Sequence, residues 1–253
     1  MAEFKVKEGK IKIIKLTDSH YIEVDKFIME NDSTLKFENE VKDFYVKANF
    51  VQIGKKVLID GSGKDSNDPG KDRHGDPGRS SSGSGRDGNN GGKGGNGSKG
   101  VNLTFEWNIF EIKQLQIKTD GGKGAKGGKG QRGGKGANAD CDEKGEPGGD
   151  GGKGGKGGNG GNAGKIILNY KCVDINGNEI PNCSNFQIVT SSRGGKEGSG
   201  GRGGSRGRGG SSHNCGLWTM DGGRNGSSGE NGDKGTKGRA QRAQIKKLVH
   251  GDR

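Results

Sequence analysis

A chain of 253 residues has room for one large domain or two small ones, yet only 25% of this one is hydrophobic and 57 residues are glycine, so any core must be narrow. Its four prolines exclude a collagen triple helix, which needs roughly 15–20%. The net charge of +12 draws it toward anionic surfaces, polysaccharide or nucleic acid, although solubility is the plainer use of that charge.

Apolar residues crowd into 1–60, 101–120, 165–190 and the last ten positions. Residues 1–60 read as short strands: KVKEGKIKIIKL, HYIEVDKFIM, TLKFENEV and DFYVKANFVQIGKKVLID. Phe44, Val46, Ala48 and Phe50 alternate, then Val51 and Ile53 switch parity, as happens where a strand turns a corner. Repeated corners predict a solenoid. The opening MAEFKVKEGKIKIIKL has charges where a signal peptide needs an apolar centre. The expectation is assembly in a cytoplasm followed by release, as for virion parts, or a leader absent from this sequence. No run approaches the roughly 20 apolar residues of a membrane helix.

A first glycine-rich arm spans 61–100, with glycines 85, 88, 91, 94, 97 and 100 in one frame on its return. After VNLTFEW, where Val101, Leu103, Phe105 and Trp107 alternate, a second arm at 121–164 keeps a frame of three most strictly. It reads GGK GAK GGK GQR GGK GAN, then ADCDEK, then GEP GGD GGK GGK GGN GGN. A third arm at 193–238 keeps glycines 195, 198, 201, 204, 207 and 210 in frame, and 223, 226, 229, 232, 235 and 238 after SSHNCGLWTMD.

A flexible Gly/Ser linker would have this composition but gains nothing from the frame. A left-handed polyproline-II-type helix has three residues per turn, so a third-place glycine lies on one face and lets backbones approach and bond across legs. Each leg of the second arm is then about 18 residues and roughly 55 Å long. GGX triplets free two faces, which places the second arm centrally; GRN, GSS, GEN, GDK and GTK free one, which places the last return leg at the edge. Lys123, Lys129, Lys135, Lys153 and Lys156 would line the solvent side.

An internal repeat launches each arm: NFVQIGKKVLIDG from Asn49, NIFEIKQLQIKTDGG from Asn108, NFQIVTSSRGG from Asn185, and the ending AQIKKLVHGD. The pairs Gln52 and Ile53, Glu111 and Ile112, Gln187 and Ile188, Gln244 and Ile245 are expected to stack, isoleucines inward. Parallel rungs rise about 4.8 Å, so arms leaving one corner must lie side by side.

Four cysteines allow three pairings, besides the option of free thiols. Cys172 and Cys183 flank VDINGNEIPN, whose Asn-Gly turn signal fits a clasped β-excursion; Cys141 and Cys215 sit at the tips of the second and third arms, where a bridge would tie them. Leu217, Trp218 and Met220 mark the third tip as a contact site, unless Trp218 folds over the bundle end as a cap.

Catalytic and cofactor motifs are missing from the pattern. GxGxxG arises by chance among so many glycines, and no Gly-Lys is followed by Ser or Thr as a phosphate loop needs. His20, His74, His213 and His250 lack metal-type spacing to one another, His213 beside Cys215 being the nearest approach. Asp60, Asp120 and Asp150 do not supply a nine-residue calcium repeat. RGGKEGSGGRGGSRGRGG holds Arg-Gly-Gly at Arg193, Arg202 and Arg208, but no aromatic is interleaved to stack on bases, so nucleic-acid binding is disfavoured.

Strands ending in VLIDGSGKD, long runs of GGKGGNGG and a return into KIILNYK resemble the glycine-rich coils of bacterial filamentous surface proteins with parallel β-helix folds. Framed legs with variable tips also resemble, more weakly, the tail-fibre-tip adhesins of T-even-like phages. Springtail antifreeze proteins share framed glycine and cysteines, but their flat small-residue ice face is unlike these lysine-rich triplets.

The expectation is therefore an all-β chain: a parallel β-solenoid with three glycine-rich hairpin arms forming a polyglycine-II bundle. It is one elongated domain, with strands at 1–60, arms at 61–100, 121–164 and 193–238, coils at 101–120 and 165–192, and a last strand in 239–253. The resemblance and the open strand edges imply a non-enzymatic extracellular or cell-surface protein without cofactors, polymerising head to tail and able to contact an anionic polysaccharide or receptor. A discrete virion adhesin is the alternative.

Overall fold

The computed structural model describes residues 2–15, 18, 20–38 and 41–248; His250 lies outside them. Among the described residues there is no helix. Twelve strands form: β1 (Glu3–Val6), β2 (Ile11–Ile14), β3 (Tyr21–Met29), β4 (Thr34–Phe37), β5 (Asp43–Ile53), β6 (Val57–Asp60), β7 (Asn102–Lys118), β8 (Ile166–Cys172), β9 (Ser184–Ser191), β10 (His213–Asn214), β11 (Thr219–Met220) and β12 (Gln244–Lys247). Ten of them make one sheet in which every pairing is parallel.

The sheet winds into a solenoid-like coil because β7 belongs to two walls at once. Its first half lies between β5 and β8, and its last residues lie between β6 and β9. Each turn is thus two strands and a corner: β1 with β2, β3 with β4, β5 with β6, the unbroken β7, then β8 with β9. The parity switch in β5 coincides with a register shift against β7 between Ala48 and Val51, which turns Val51 and Ile53 back toward the core. Asp32 and Lys56, both at φ 54°, make the matching corner on adjacent turns.

Inward residues stack in ladders. Val24, Ala48, Trp107 and Tyr170 follow one another, the small Ala48 making room for the indole above it. Val46, Phe105 and Leu168 form the next column, all fully buried. Burying such side chains contributes about 1.5–3 kcal/mol each, which is how a thin core holds a chain so poor in apolar residues. The indole N–H of Trp107 is enclosed with no hydrogen-bond partner.

The expected isoleucine stack needs correction. Ile53 and Ile112 do face each other and are fully buried, but Phe186, not Ile188, continues that column, and Ile188 lies across from Leu115. Asn185 at φ 47° is an unmatched residue of β9 between Ser184 and Phe186, and a second register shift follows between Ile112 and Leu115, so Ile188 falls two residues beyond the column but still packs against the core. Ile245 pairs with Leu168 instead, because β12 lies beside β8 at the start of a turn, and it keeps 43% of its surface exposed.

The arms leave the coil as six legs. Outbound legs cover 61–75, 121–137 and 193–210; return legs cover 85–100, 146–164 and 223–240. No strand is formed in them, yet backbone N–H groups at third positions donate to neighbouring legs throughout their length. Outbound legs lie beside outbound legs and return legs beside return legs, in two layers. Gly121, Gly124, Gly127, Gly130, Gly133 and Gly136 donate to Arg193, Lys196, Ser199, Arg202, Ser205 and Arg208. Between layers, Gly149, Gly152, Gly155, Gly158 and Gly161 donate to Gly134, Gln131, Gly128, Ala125 and Gly122. Each leg of the second arm has four bonded neighbours, whereas the last return leg has two.

Coil and arms share one register. Asn102 and Lys165 are 63 residues apart, and so are Asp87 and Asp150 far out on the legs, the separation that also pairs Leu103 with Ile166. Buried Thr119 and Ser192 form the seam where the apolar core gives way to glycine, with the Thr119 hydroxyl donating to the carbonyl of Gly164 at 2.9 Å.

Candidate functional site

The legs carry their side chains at the third position, so the two outer faces and the far tips are the surfaces on which the molecule can act. On the return face these side chains bond sideways. The carboxamide or carboxylate oxygens of Asp87, Asn90 and Asn96 accept the N–H of Asp150, Lys153 and Asn159 at 2.7–2.8 Å. Asp150, Asn159 and Asn162 in turn accept the N–H of Ser227, Thr236 and Arg239. These Asx residues form a zipper that sequence reasoning missed, although Asp or Asn repeating in the third place was its visible signal. Lys153 and Glu230 add an ion pair at 2.9 Å; the ammonium beside it holds the Glu230 carboxyl below its usual range, and the lysine is raised in turn.

On the outbound face Lys123, Lys126, Lys129, Arg132 and Lys135 are all exposed in one row. Arg193, Lys196, Arg202 and Arg208 stand exposed on the neighbouring leg. The Arg-Gly-Gly triplets therefore lie within the legs as outward third positions. Asp65 and Asp72, on the first outbound leg, accept the N–H of Lys123 and Lys129 at the edge of this field. A depression of about 510 Å³ opens there, lined by Lys71, Asp72, Lys126, Lys129 and Arg202 among others.

At the tips, the structure joins Cys141 to Cys215, with Cα atoms 5.6 Å apart, tying the second arm to the third. Asp140 braces the second tip by accepting the N–H of Asp142 and Glu143, bonds that hold its carboxyl below the usual range. The third tip is a two-residue ladder in which His213 faces Met220 and the Cys215 N–H donates to Trp218, with Gly216 at φ 86° in the turn. Leu217 is 95% exposed and Trp218 55%, so the indole is not folded away as a cap; Met220 is half-buried.

His213 and the two sulfurs bring donor atoms within 4.8 Å of one another. Because the sulfurs are bonded to each other, the imidazole is the donor left in that cluster. His74 lies 3.9 Å from Asp72, and the His20 ring meets the Lys15 carbonyl at 3.2 Å.

Cys172 and Cys183 form the second bridge, with Cα atoms 4.8 Å apart. It closes a small excursion in which the Asp174 carboxylate takes the side-chain and backbone N–H of Asn178 and the N–H of Asn176, which depresses its pKa, and Gly177 turns at φ 85°. Two disulfides suggest an oxidising environment. Among the described residues no helix is long and apolar enough to cross a membrane.

No family model and no curated protein matches this chain. Among solved structures, a nine polyproline type II helical bundle springtail antifreeze protein from Granisotoma rainieri aligns at 22% identity over 74% of this chain and 98% of that one. With a TM-score of 0.14, the two do not superpose.

Proposed function

We propose that this chain is a non-enzymatic structural and adhesive protein of a cell surface or extracellular fibre, needing no cofactor. Its six legs act as a polyglycine-II bundle, left-handed with three residues per turn, clamped in register by a parallel β-solenoid. Such helices have no internal hydrogen bonds. The leg-to-leg bonds supply what they need, and all third-place side chains are left to the surface.

The fibre reading rests on one observation: among the described residues, β1 and β2 at one end of the coil, and β9 and β12 at the other, each pair on one side only. Such edges template a further strand, and a head-to-tail contact between them is heterologous and propagates. Lys12 governs the first edge. It stands in register with buried Leu35 and holds its ammonium 4.0 Å over the Phe4 ring, an inward charge of the kind that restrains edge pairing.

Electron microscopy of the purified protein tests this. Filaments are expected, appearing faster in Lys12→Met; discrete particles in both proteins would defeat the reading. One observation favours a second reading, that of a discrete fibre-tip or virion adhesin resembling those of phages: the exposure of Leu217 and Trp218 on a tip fixed by a disulfide. Under it the particles stay discrete, and Trp218→Ala abolishes receptor binding.

A further inference from the structure

The two outer faces of the glycine bundle have the same backbone construction and opposite chemistry. Outward positions of the return layer mix cations (Lys93, Lys99, Lys153, Lys156) with acids (Asp87, Asp150, Glu230, Asp233), and Asx side chains span the gaps between legs. On the second and third outbound legs the outward positions 123–135 and 193–208 hold nine cations and no acid. Glu197 falls in the triplet position of Gly194, Gly200 and Gly203, which face the last return leg. Backbone register places Lys123 beside Lys196, Lys129 beside Arg202 and Lys135 beside Arg208, because each leg pair is bonded at every third residue from Gly121 to Gly136. Between those rows Ser199 and Ser205 stand opposite Lys126 and Arg132.

We infer that this outbound face is a binding surface for a linear acidic polysaccharide, one bearing carboxylate or sulfate groups along an extended chain. Three features select that ligand. Cations recur about 9 Å apart along a straight leg, given about 3.1 Å per residue, so the field suits charges strung out at intervals along an extended polymer. Duplex DNA presents a charge per about 1.7 Å of axis, several times denser than the cations on one leg. Residues 121–137 and 193–210 contain no aromatic side chain, so bases would find nothing to stack on. Serines alternating with cations supply hydroxyl partners for sugar hydroxyls, and Arg202 and Arg208 can grip a carboxylate or sulfate with two parallel N–H bonds.

The depression bordered by Lys71, Lys126, Lys129 and Arg202 gathers four cations from all three outbound legs around the single carboxylate of Asp72, and is the natural anchor of the field. Lys123 finds a counter-charge in Asp65, 3.7 Å away at the edge; crowding like charges along the rest of the two legs is costly, and the polymer offsets it. The site deepens the surface role proposed above but rests on the layering of the legs, not on polymerisation.

The experiment measures binding of the whole protein to heparin and to polygalacturonate, with neutral dextran and duplex DNA as comparators, at low and physiological salt. Lys126→Gln/Lys129→Gln/Arg202→Gln is set against a return-face control, Lys93→Gln/Lys153→Gln/Lys156→Gln, with thermal melts to show that both fold. The expected result is salt-sensitive binding of both acidic polysaccharides, reduced at least tenfold by the outbound triple and less than twofold by the control. Equal loss in both variants, no binding, or tighter binding to DNA than to either polysaccharide would overturn the inference. Loss of filaments with binding intact would count against polymerisation alone.

Discussion

The return face and the outbound face of the legs show how one backbone lattice serves two purposes. On the return face the third residue is spent on the lattice itself: Asn96 holds the N–H of Asn159, and Asn159 holds that of Thr236, so a row is stitched across three legs. On the outbound face the corresponding rows of the second and third legs end in lysine and arginine heads, and the sideways side-chain bonds are confined to the edge at Asp65 and Asp72 and to the ends at Asp120 and Asn138. Stability is concentrated on one face and surface charge on the other.

The largest effect is expected at the backbone contacts that both faces share. A side chain at Gly155 would be driven into the carbonyl oxygen of Gly92, a backbone atom that cannot rotate away. Gly155→Ala must therefore separate the first and second return legs and uncouple several leg-to-leg bonds, each worth about 0.5–1.5 kcal/mol. It should lower the melting temperature further than any surface or disulfide variant. Lys126→Ala, at an outward position one leg away, should stay within about 0.5 kcal/mol of the parent. Equal melts for the two would mean that the legs are not packed against one another.

Next in size is the tip bridge. Cys141→Ser with Cys215→Ser removes a 74-residue closure and should cost about 2–4 kcal/mol, seen as a lower melting temperature than the oxidised parent. Hydrogen exchange should then rise at the tips of the second and third arms first, while Gly121 and Gly161 near the coil stay protected.

The faces themselves separate at the third level. Asn159→Ala removes the acceptor for the Thr236 N–H and the middle of a three-leg row, and should cost about 1 kcal/mol. Lys129→Ala, equally central on the outbound face, leaves the Asp72 bond intact because that bond uses the backbone N–H of Lys129. A melt series that ranks Lys129→Ala as the worse of the two would reverse the assignment of roles.

Much of the fold is legible in the sequence, for reasons that can be located. Strand alternation and the parity switch at Val51 predict the parallel coil, because a period of two is visible wherever one side is buried. The isoleucine stack fails at Ile188 because the two register shifts between β7 and β9 are invisible to a motif that matches Gln-Ile alone. Nor does the glycine frame by itself explain why Ala125, Gln131 and Ala137 stand at positions equivalent to Gly122, Gly128 and Gly134. In the structure those glycines abut the backbone of the first arm at Lys64, Lys71 and Gly78, seven residues apart against six, so only alternate positions are crowded. Gln131 uses the space to accept the Asn89 N–H at 3.0 Å. The Asx zipper escapes sequence reading because its partners lie 63 or 77 residues away, a separation that becomes readable only once the coil has set the register.

The smallest expected effect turns on pH and again divides the faces. Glu230 is depressed by its bond to Lys153, so it stabilises the fold above its unfolded pKa and loses that contribution as pH falls through the lower, folded value. Lys153, raised by the same bond, contributes below its unfolded pKa and loses its share as pH climbs through the higher folded one. Both groups are solvent-exposed, so screening keeps the gain slight. Melts at about pH 6 and about pH 3, which bracket the ordinary carboxylate range, should differ a little less in Glu230→Gln than in the parent. On the outbound face Lys129→Gln should change that pH difference less than Glu230→Gln does, since the neighbouring Asp72 of the first outbound leg is held by the backbone N–H of residue 129, which the substitution keeps. A pH response shifted as much by Lys129→Gln as by Glu230→Gln would show that Lys129, like Lys123 beside Asp65, is already paired within the protein, and would leave the field less to offer a polyanion.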